Sequence, residues 1–254
     1  MMRAIQFGRA AAVLIVGLAA YGAPASPEAS FQAAQKARAT GDLSGALTGF
    51  ETALALDPDN IRYGSEYRQA VIQAKEYERS LKFFEKLVAD HPNSAKAHLN
   101  YGFAYVDKIP AAGSITQVIL ANTALTEFTR SIDISPSWIA YYTRGNSYLF
   151  WPKVFLRAPL GVADLEKAYS MQKGGAKRTY HVRVYISLGD GYWKTDNMEK
   201  ARAIWTEGLR EFPDNAQLKA RLARNGDDLK TYIDNELDPN KRVDTNLQEL
   251  WASE

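Results

Sequence analysis

The sequence contains no cysteine, and only three of its 254 residues are histidine. A chain without cysteine forms no disulfide and carries no thioether-linked lipid, so its fold depends on its apolar core. His91, His98 and His181 form no pair at metal-ligand spacing on one helix face, and we predict no metal site. We interpret His91 and His98 as structural residues, whereas a binding role stays open for His181 beside Tyr180.

Sequence patterns of known catalytic sites are missing as well. The chain has no Gly-x-Ser-x-Gly elbow and no phosphate loop ending in Gly-Lys-Ser or Gly-Lys-Thr. Its carboxylates are spaced as expected for solvated helix faces. We therefore predict a protein that is not an enzyme and needs no cofactor. An enzyme whose catalytic groups meet only in the fold is kept as an alternative.

Long apolar runs are scarce, and the run from Ala10 to Ala20 is too short to span a bilayer as a stable helix. It follows Arg3 and Arg9 and precedes the small residues Ala23-Pro24-Ala25, a pattern typical of a secretory signal peptide. We predict that residues 1–25 are a signal peptide cleaved after Ala25, and that the mature protein is periplasmic or secreted. A membrane anchor and a buried first helix are the alternatives.

The chain also lacks a strong excess of charge of either sign. It carries 31 basic and 29 acidic residues, and loss of Arg3 and Arg9 with the signal peptide would leave 29 of each. A neutral mature chain has no general attraction to nucleic acid or anionic lipid. We predict no nucleic-acid partner, and no stable membrane span after cleavage.

What the sequence does contain is a repeat. Gly-x-x-Tyr occurs from Gly102, Gly145 and Gly189, each time in a stretch of helical character. A second pattern recurs after 34 residues, the period of a helix-turn-helix repeat. Its positions are Ala46, Phe50, Ala53 and Pro58, then Ser80, Phe84, Leu87 and Pro92. The first three positions of each set share one helix face, and the proline follows the helix end.

The last copy is the most complete. Its first helix carries Gly189 and Tyr192, its second carries Ala201 and Trp205, and Pro213 closes it. These residues resemble the tetratricopeptide repeat (TPR) family. The resemblance implies an all-α fold, an α-solenoid of antiparallel helix pairs (a TPR superhelix) with a concave groove. Between the two helices, Asp196-x-x-Glu199 is a variant of the capping box that begins a helix.

We predict about five repeats over residues 26–214, followed by a capping helix and tail at 215–254. Units three and four are each about ten residues longer than the TPR period. We place the extra residues near Lys108–Ser114 and at Trp151–Gly161. The segment from Val243 to Trp251 could form one more short helix.

The resemblance also implies which positions line the groove and bind a protein or peptide. Asparagine amides there can donate to and accept from a peptide backbone, while aromatic side chains take partner side chains. A surface position for Asn146, and a core position or a contact with the C-terminal segment for Trp193, are the alternatives. The predicted groove residues are Asn100, Phe103, Tyr142, Asn146, Arg183, Ile186, Asp190 and Trp193.

The inserted segment of unit four is a second predicted binding site. It places Trp151, Phe155, Leu156 and Arg157 in a stretch where two prolines restrict the backbone. The alternative is that Trp151 and Phe155 pack between units four and five as a local core.

The favoured function is an exported scaffold or adaptor for a protein or peptide, in envelope assembly or export. The alternative is a structural or oligomerising subunit, including a homo-oligomer, that associates through Trp138, Tyr141, Trp151 and Phe155.

Overall fold

The computed structural model describes residues 26–251, so the predicted signal peptide at 1–25 lies outside the described residues, as do residues 252–254. Within 26–251 the chain forms twelve α-helices and no strand, which confirms the all-α prediction. The helices are α1 (Pro27–Ala39), α2 (Leu43–Leu56), α3 (Ile61–Ala74), α4 (Tyr77–Asp90), α5 (Ala95–Lys108), α6 (Ser114–Ile134), α7 (Trp138–Leu149), α8 (Ala158–Lys173), α9 (Val182–Lys194), α10 (Met198–Glu211), α11 (Ala216–Leu222) and α12 (Gly226–Glu236).

The helices pack as successive pairs, α1 with α2 through α9 with α10, and α11 and α12 follow as a shorter pair. The first helix of a pair also contacts the first helix of the next, as α3 does with α5 and α7 with α9. These first helices therefore form one wall, which in a solenoid of helix pairs is the concave side. We call it the inner wall.

Helix starts follow from capping side chains. Seven helices are preceded by a residue whose side chain accepts a hydrogen bond from a backbone N–H of the first turn, which would otherwise lack a partner. The capping residues are Ser26, Asp42, Asn60, Ser94, Ser137, Asn197 and Asn215.

The predicted capping box at Asp196 is wrong by one position. Asn197 caps α10 and accepts from the Lys200 backbone N–H at 3.1 Å. Asp196 instead has φ of +62° in the turn before the helix. Aspartate tolerates this left-handed conformation better than most residues, so the turn uses the residue that the sequence pattern assigned to the cap.

The glycine of a Gly-x-x-Tyr copy makes room for a large side chain from the second helix of its pair. A Cβ on Gly102 would lie 2.4 Å from Phe128 Cε1, and one on Gly189 would lie 2.1 Å from Trp205 Nε1. Both distances are far below van der Waals contact, so only glycine allows these helices to approach so closely.

The extra residues of units three and four are not arranged as predicted. In unit three a 3-10 turn at Ile109–Ala111 precedes α6, which has 21 residues where α2, α4 and α10 have 14. Most of the extra length is therefore helix. In unit four the irregular segment ends at Arg157, and the predicted insertion residues 158–161 belong to α8. Pro159 lies in the first turn of that helix, where its missing N–H costs nothing.

The last 14 described residues, 238–251, form no α-helix and contain only a 3-10 turn at Gln248–Leu250. The short helix considered for Val243–Trp251 is therefore absent. The carbonyl of Thr245 and the N–H of Leu247 form hydrogen bonds with side chains of the inner wall. These bonds replace the ones that a helix would supply. We call residues 238–251 the C-terminal tail. Across residues 26–251, no helix combines the length and apolar character needed to cross a membrane.

Candidate functional site

From Arg242 to Asn246 the C-terminal tail runs along the inner wall without helix or turn, and a 3-10 turn follows at Gln248–Leu250. Thr245 and Leu247 are buried and Asp244 is exposed, so the side chains before the turn alternate between the wall and solvent. Leu247 packs with Leu99, Phe103 and other apolar residues of α5 and α6. The tail is thus bound through one face of an extended chain.

Polar side chains of α3 form hydrogen bonds with the tail backbone. Arg68 Nη2 donates to the carbonyl oxygen of Thr245 at 3.1 Å, and the backbone N–H of Leu247 donates to Ser65 Oγ at 3.2 Å. These bonds recognise the peptide backbone, which every extended chain presents. A hydrogen bond to a charged donor is about twice as strong as one between neutral groups, so Arg68 is the main polar anchor.

Beneath the tail lies a buried ion pair. Arg68 Nη1 is 3.0 Å from Asp107 Oδ2, and both side chains are almost completely buried. The Thr245 hydroxyl donates to the other oxygen of Asp107. Burial raises the pKa of the Asp107 carboxyl above its ordinary value, while the Arg68 charge opposes that shift.

Two further arginines fix the ends of the tail. Arg183 of α9 forms ion pairs with Glu249 and, at 3.9 Å, with Asp244. Arg242 of the tail donates to the Tyr77 hydroxyl at 2.9 Å and to the Asp107 carbonyl at 3.3 Å. The tail therefore contacts repeats two, three and five.

A pocket of about 320 Å³ remains open beside the tail. Its walls come from α5, α6, α7, the segment after α7, Arg183 of α9, and the tail itself. Both long units contribute, through Val118 of α6 and through Trp151. The volume is at the small end of the range for ligand pockets, and suits one or two large apolar side chains.

Four of the eight predicted groove residues meet at this pocket. Phe103, Tyr142, Asn146 and Arg183 all line it. Tyr142 stacks on Trp138 with ring centroids 5.1 Å apart. Asn146 Oδ1 accepts from the Ser187 hydroxyl at 2.9 Å.

Asn100 lies one layer deeper than the pocket. It is fully buried, and its Oδ1 accepts from Arg68 Nε at 3.3 Å. Its amide nitrogen has no hydrogen-bond partner among the described residues. The structure thus places Asn100 behind the arginine that holds the tail.

The other three predicted groove residues lie near the C-terminal helices. Ile186 and Trp193 pack against the core cluster that includes Leu229 and Ile233 of α12. Asp190 forms a buried bidentate pair with Arg221 of α11, at 2.6 and 2.7 Å. Burial raises the pKa of Asp190, and Arg221 opposes the shift. None of these three residues lines the pocket.

The inserted segment of unit four is divided between core and surface. Trp151 is buried, with the Arg157 guanidinium 3.9 Å from the centre of its ring. Phe155 packs edge-on against Trp151 but remains 54% exposed. Leu156 is 77% exposed and has φ of +52°, a strained conformation for a leucine. The local core predicted as the alternative thus includes Trp151 but leaves Phe155 largely exposed, and the binding role of the segment stays a prediction.

Sequence reasoning missed Ser65, Arg68, Asp107 and the tail. One signal was present: Arg68 stands 34 residues before Gly102, at the repeat position that is glycine in later units. A large cation at a position that otherwise needs the smallest residue indicates a special role. The extended tail had no comparable signal, because its conformation depends on residues far away in the sequence.

No metal or histidine site emerges from the described residues, which contain no cluster of acidic and histidine side chains suited to a metal ion. His98 is buried, with Nδ1 2.7 Å from Glu127. His181 is buried against Trp138, and its Nδ1 accepts from the Arg178 backbone N–H at 3.3 Å. Burial lowers the pKa of His181, which favours the neutral ring.

Comparison with known proteins rests on structure alone, because no family profile and no curated protein matches the sequence. TTC0263, a thermophilic TPR protein in Thermus thermophilus, is 18% identical and superposes with a TM-score of 0.55, covering 78% of this chain and 97% of its own. A tetratricopeptide repeat protein from Parabacteroides merdae gives 15% identity and a TM-score of 0.56, over 83% of this chain and 75% of its own.

The chain has the tetratricopeptide-repeat fold. This confirms the fold expected from the repeat pattern. YrrB, described as a TPR protein with an unusual peptide-binding site, is a third similar structure at 15% identity and a TM-score of 0.52, covering 77% of this chain and 91% of its own.

Proposed function

We propose that this protein is an exported, non-enzymatic adaptor that holds an extended segment of a partner protein on its inner wall. One observation carries the proposal: the wall already holds an extended segment, the C-terminal tail. A surface that grips one extended backbone through Arg68 and Ser65 has the chemistry to grip another.

The pocket beside the tail adds specificity to that proposal. Backbone contacts give affinity for any extended chain, whereas pockets for particular side chains select among partners. Phe103 and Tyr142 supply apolar and aromatic contacts, and Asn146 supplies an amide that both donates and accepts. A partner with a large apolar side chain would fill space that the tail leaves empty.

Export is proposed from residues 1–25, whose charged start, short apolar run and small residues suit signal cleavage. Mass measurement of the mature N-terminus tests it. A mature chain beginning at Ser26 is expected, and a cytoplasmic chain that keeps Met1 would remove export from the proposal. The proposed place in envelope assembly or export depends on that result.

A photocrosslinking experiment tests partner binding. A photoreactive residue at Tyr142 faces the pocket, and one at the exposed Lys82 of α4, a second helix, serves as the control. We expect a discrete crosslinked partner from position 142 in the native compartment and none from position 82. Equal crosslinking at both positions, or none at 142, would contradict binding on the inner wall.

Self-association is the second candidate function. Ile115 and Ile119 at the start of α6 are exposed, as are Phe155 and Leu156 after α7. Neighbouring residues of both segments line the same pocket, so these side chains lie near one edge of the solenoid. Exposed apolar residues grouped in this way suit an interface. Light scattering of the mature protein separates a monomer from an oligomer.

A further inference from the structure

We infer that the C-terminal tail is an internal ligand that an external partner must displace, and that the partner segment resembles the tail in its chemistry. This inference rests on the proposed function, because it specifies what the inner wall binds. The expected segment is extended up to a leucine-sized side chain and then turns; it has a hydroxyl side chain two residues before that position and a carboxylate two residues after it, in the turn.

The spacing follows from the three inward contacts of the tail. Thr245 binds Asp107 through its hydroxyl, Leu247 enters the apolar cluster of α5 and α6, and Glu249 pairs with Arg183. These positions are separated by two residues each. Thr245 and Leu247 point to the wall together because alternate residues of an extended stretch face the same side. The 3-10 turn at Gln248–Leu250 then brings Glu249 to Arg183.

Tethering makes the tail an effective competitor. The tail follows α12 directly, so its effective concentration at the wall is on the order of 1 mM, as for short linkers. A free segment with the same contacts must compete with that concentration. Additional contacts, such as an apolar side chain in the open pocket, give a true partner the advantage that displacement requires.

Two features of the bound tail favour its release from the inner wall. Asp244, Gln248, Pro239 and Asn240 are exposed, so water reaches its outer side along much of its length. The Arg68–Asp107 pair beneath the tail is buried, and the cost of removing two charges from water offsets part of the favourable contacts.

A peptide-binding experiment tests the inference. The probe is a fluorescent peptide of residues 239–251, and the host is the full chain carrying Leu247→Asp, which places a charge in the apolar cluster and detaches the tail. The matched control host carries Gln248→Asp, the same new charge at the exposed neighbouring position. We expect the peptide to bind the Leu247→Asp host at least tenfold more tightly than the wild-type or Gln248→Asp hosts.

A charge reversal tests the predicted register. In the Leu247→Asp host, Arg183→Glu should weaken the probe at least fivefold, and a probe carrying Glu249→Lys should recover most of that loss. General damage to the fold would give no such recovery. Leu247→Asp in the probe should abolish binding to every host.

A second host guards against misfolding of the first. A protease site inserted at the exposed turn of Pro239 and Asn240 allows the wild-type chain to fold before the tail is cut. Circular dichroism confirms that both hosts are folded. The cut host, after the freed tail is removed, should bind the probe as the Leu247→Asp host does.

The outcomes separate this inference from the proposed function. If the probe binds neither opened host while position 142 still crosslinks a partner, the inference is wrong and the proposed function stands. Equal binding to wild-type and opened hosts would show that the tail is no barrier, and would also overturn the inference. If neither the probe binds nor a partner crosslinks, both fail.

Discussion

At the scale of single residues, the fold depends on contacts between the smallest and the largest side chains. Gly102 faces Phe128 and Gly189 faces Trp205, and in each pair the glycine sits on the first helix and the aromatic residue on the second. The repeat pattern in the sequence marked three of these four residues, Gly102, Gly189 and Trp205. It did so because their spacing is local to one repeat and therefore recurs.

Substitution of Gly102 by alanine tests this contact. Alanine would favour the helix by about 1 kcal/mol, but its methyl group would overlap the Phe128 ring. Overpacking typically costs about 1–3 kcal/mol, so we expect a net loss of up to about 2 kcal/mol in the free energy of unfolding. Gly174→Ala is the control, since nothing lies within 4 Å of a Cβ there. Urea denaturation of both variants measures the difference, and equal stability would contradict the close contact.

The positions of buried charged residues were the hardest to predict from the sequence. Asp190 was predicted in the groove, but it pairs with Arg221 at 2.6 and 2.7 Å. Arg68 was not predicted at all. A charged residue on a helix looks solvated in the sequence until its partner is known, and these partners are 31 and 39 residues away.

The Asp190–Arg221 pair should be essential for the packing of α11 on α9. Arg221→Ala would leave the Asp190 carboxylate buried without a partner, and loss of one member of a buried pair costs about 3–5 kcal/mol. The exposed Lys86–Asp90 pair of α4 provides the control, and Lys86→Ala should change stability by less than about 0.5 kcal/mol. Thermal denaturation of the two variants distinguishes them, and similar melting temperatures would refute a structural role for Asp190.

At the scale of elements, helix type and order were predictable, while the added lengths were not. The extra residues of unit three became part of the 21-residue helix α6, although the sequence there contains Pro110 and Gly113. Those two residues mark a turn, as expected, but α6 begins directly after them. Pro110 and Gly113 thus predicted the position of the turn between α5 and α6. No local feature of the sequence predicted the length of the helix that follows.

The inserted segment of unit four should tolerate change at its exposed residues alone. Replacing both Phe155 and Leu156 with serine is expected to alter the free energy of unfolding by less than about 1 kcal/mol, because both side chains are largely in solvent. Trp151→Ala should instead cost about 3 kcal/mol or more, since this ring is buried and packs against Arg157 and Phe155.

The same variants distinguish an interface from a core. If Phe155 and Leu156 belong to a binding edge, their double serine variant should keep its melting temperature and lose partner binding or self-association. A large fall in melting temperature of that variant would assign the whole segment to the core. Light scattering and a thermal melt on one sample give both measurements.

At the scale of the whole molecule, the tail adds contacts between repeats that are not neighbours in the solenoid. Repeats in a solenoid contact only their neighbours, so the structure behaves nearly as a one-dimensional stack. Here the Arg68–Thr245 bond joins residues 177 positions apart, and Arg183 binds the same tail from repeat five. The sequence could not predict this brace, because the tail carries no repeat pattern and its place is set entirely by long-range contacts.

Release of the tail should therefore loosen the whole superhelix. Because the chain has no native cysteine, spin labels can be attached at Lys82→Cys on α4 and Lys219→Cys on α11, two exposed positions far apart along the stack. Pulsed electron paramagnetic resonance then gives the distribution of distances between them. We expect Leu247→Asp to broaden that distribution, since only neighbouring repeats would restrain the ends, and Gln248→Asp to leave it unchanged. An identical distribution in all three proteins would mean that the tail rests on the wall without bracing it, and that the stack of helix pairs alone sets the curvature.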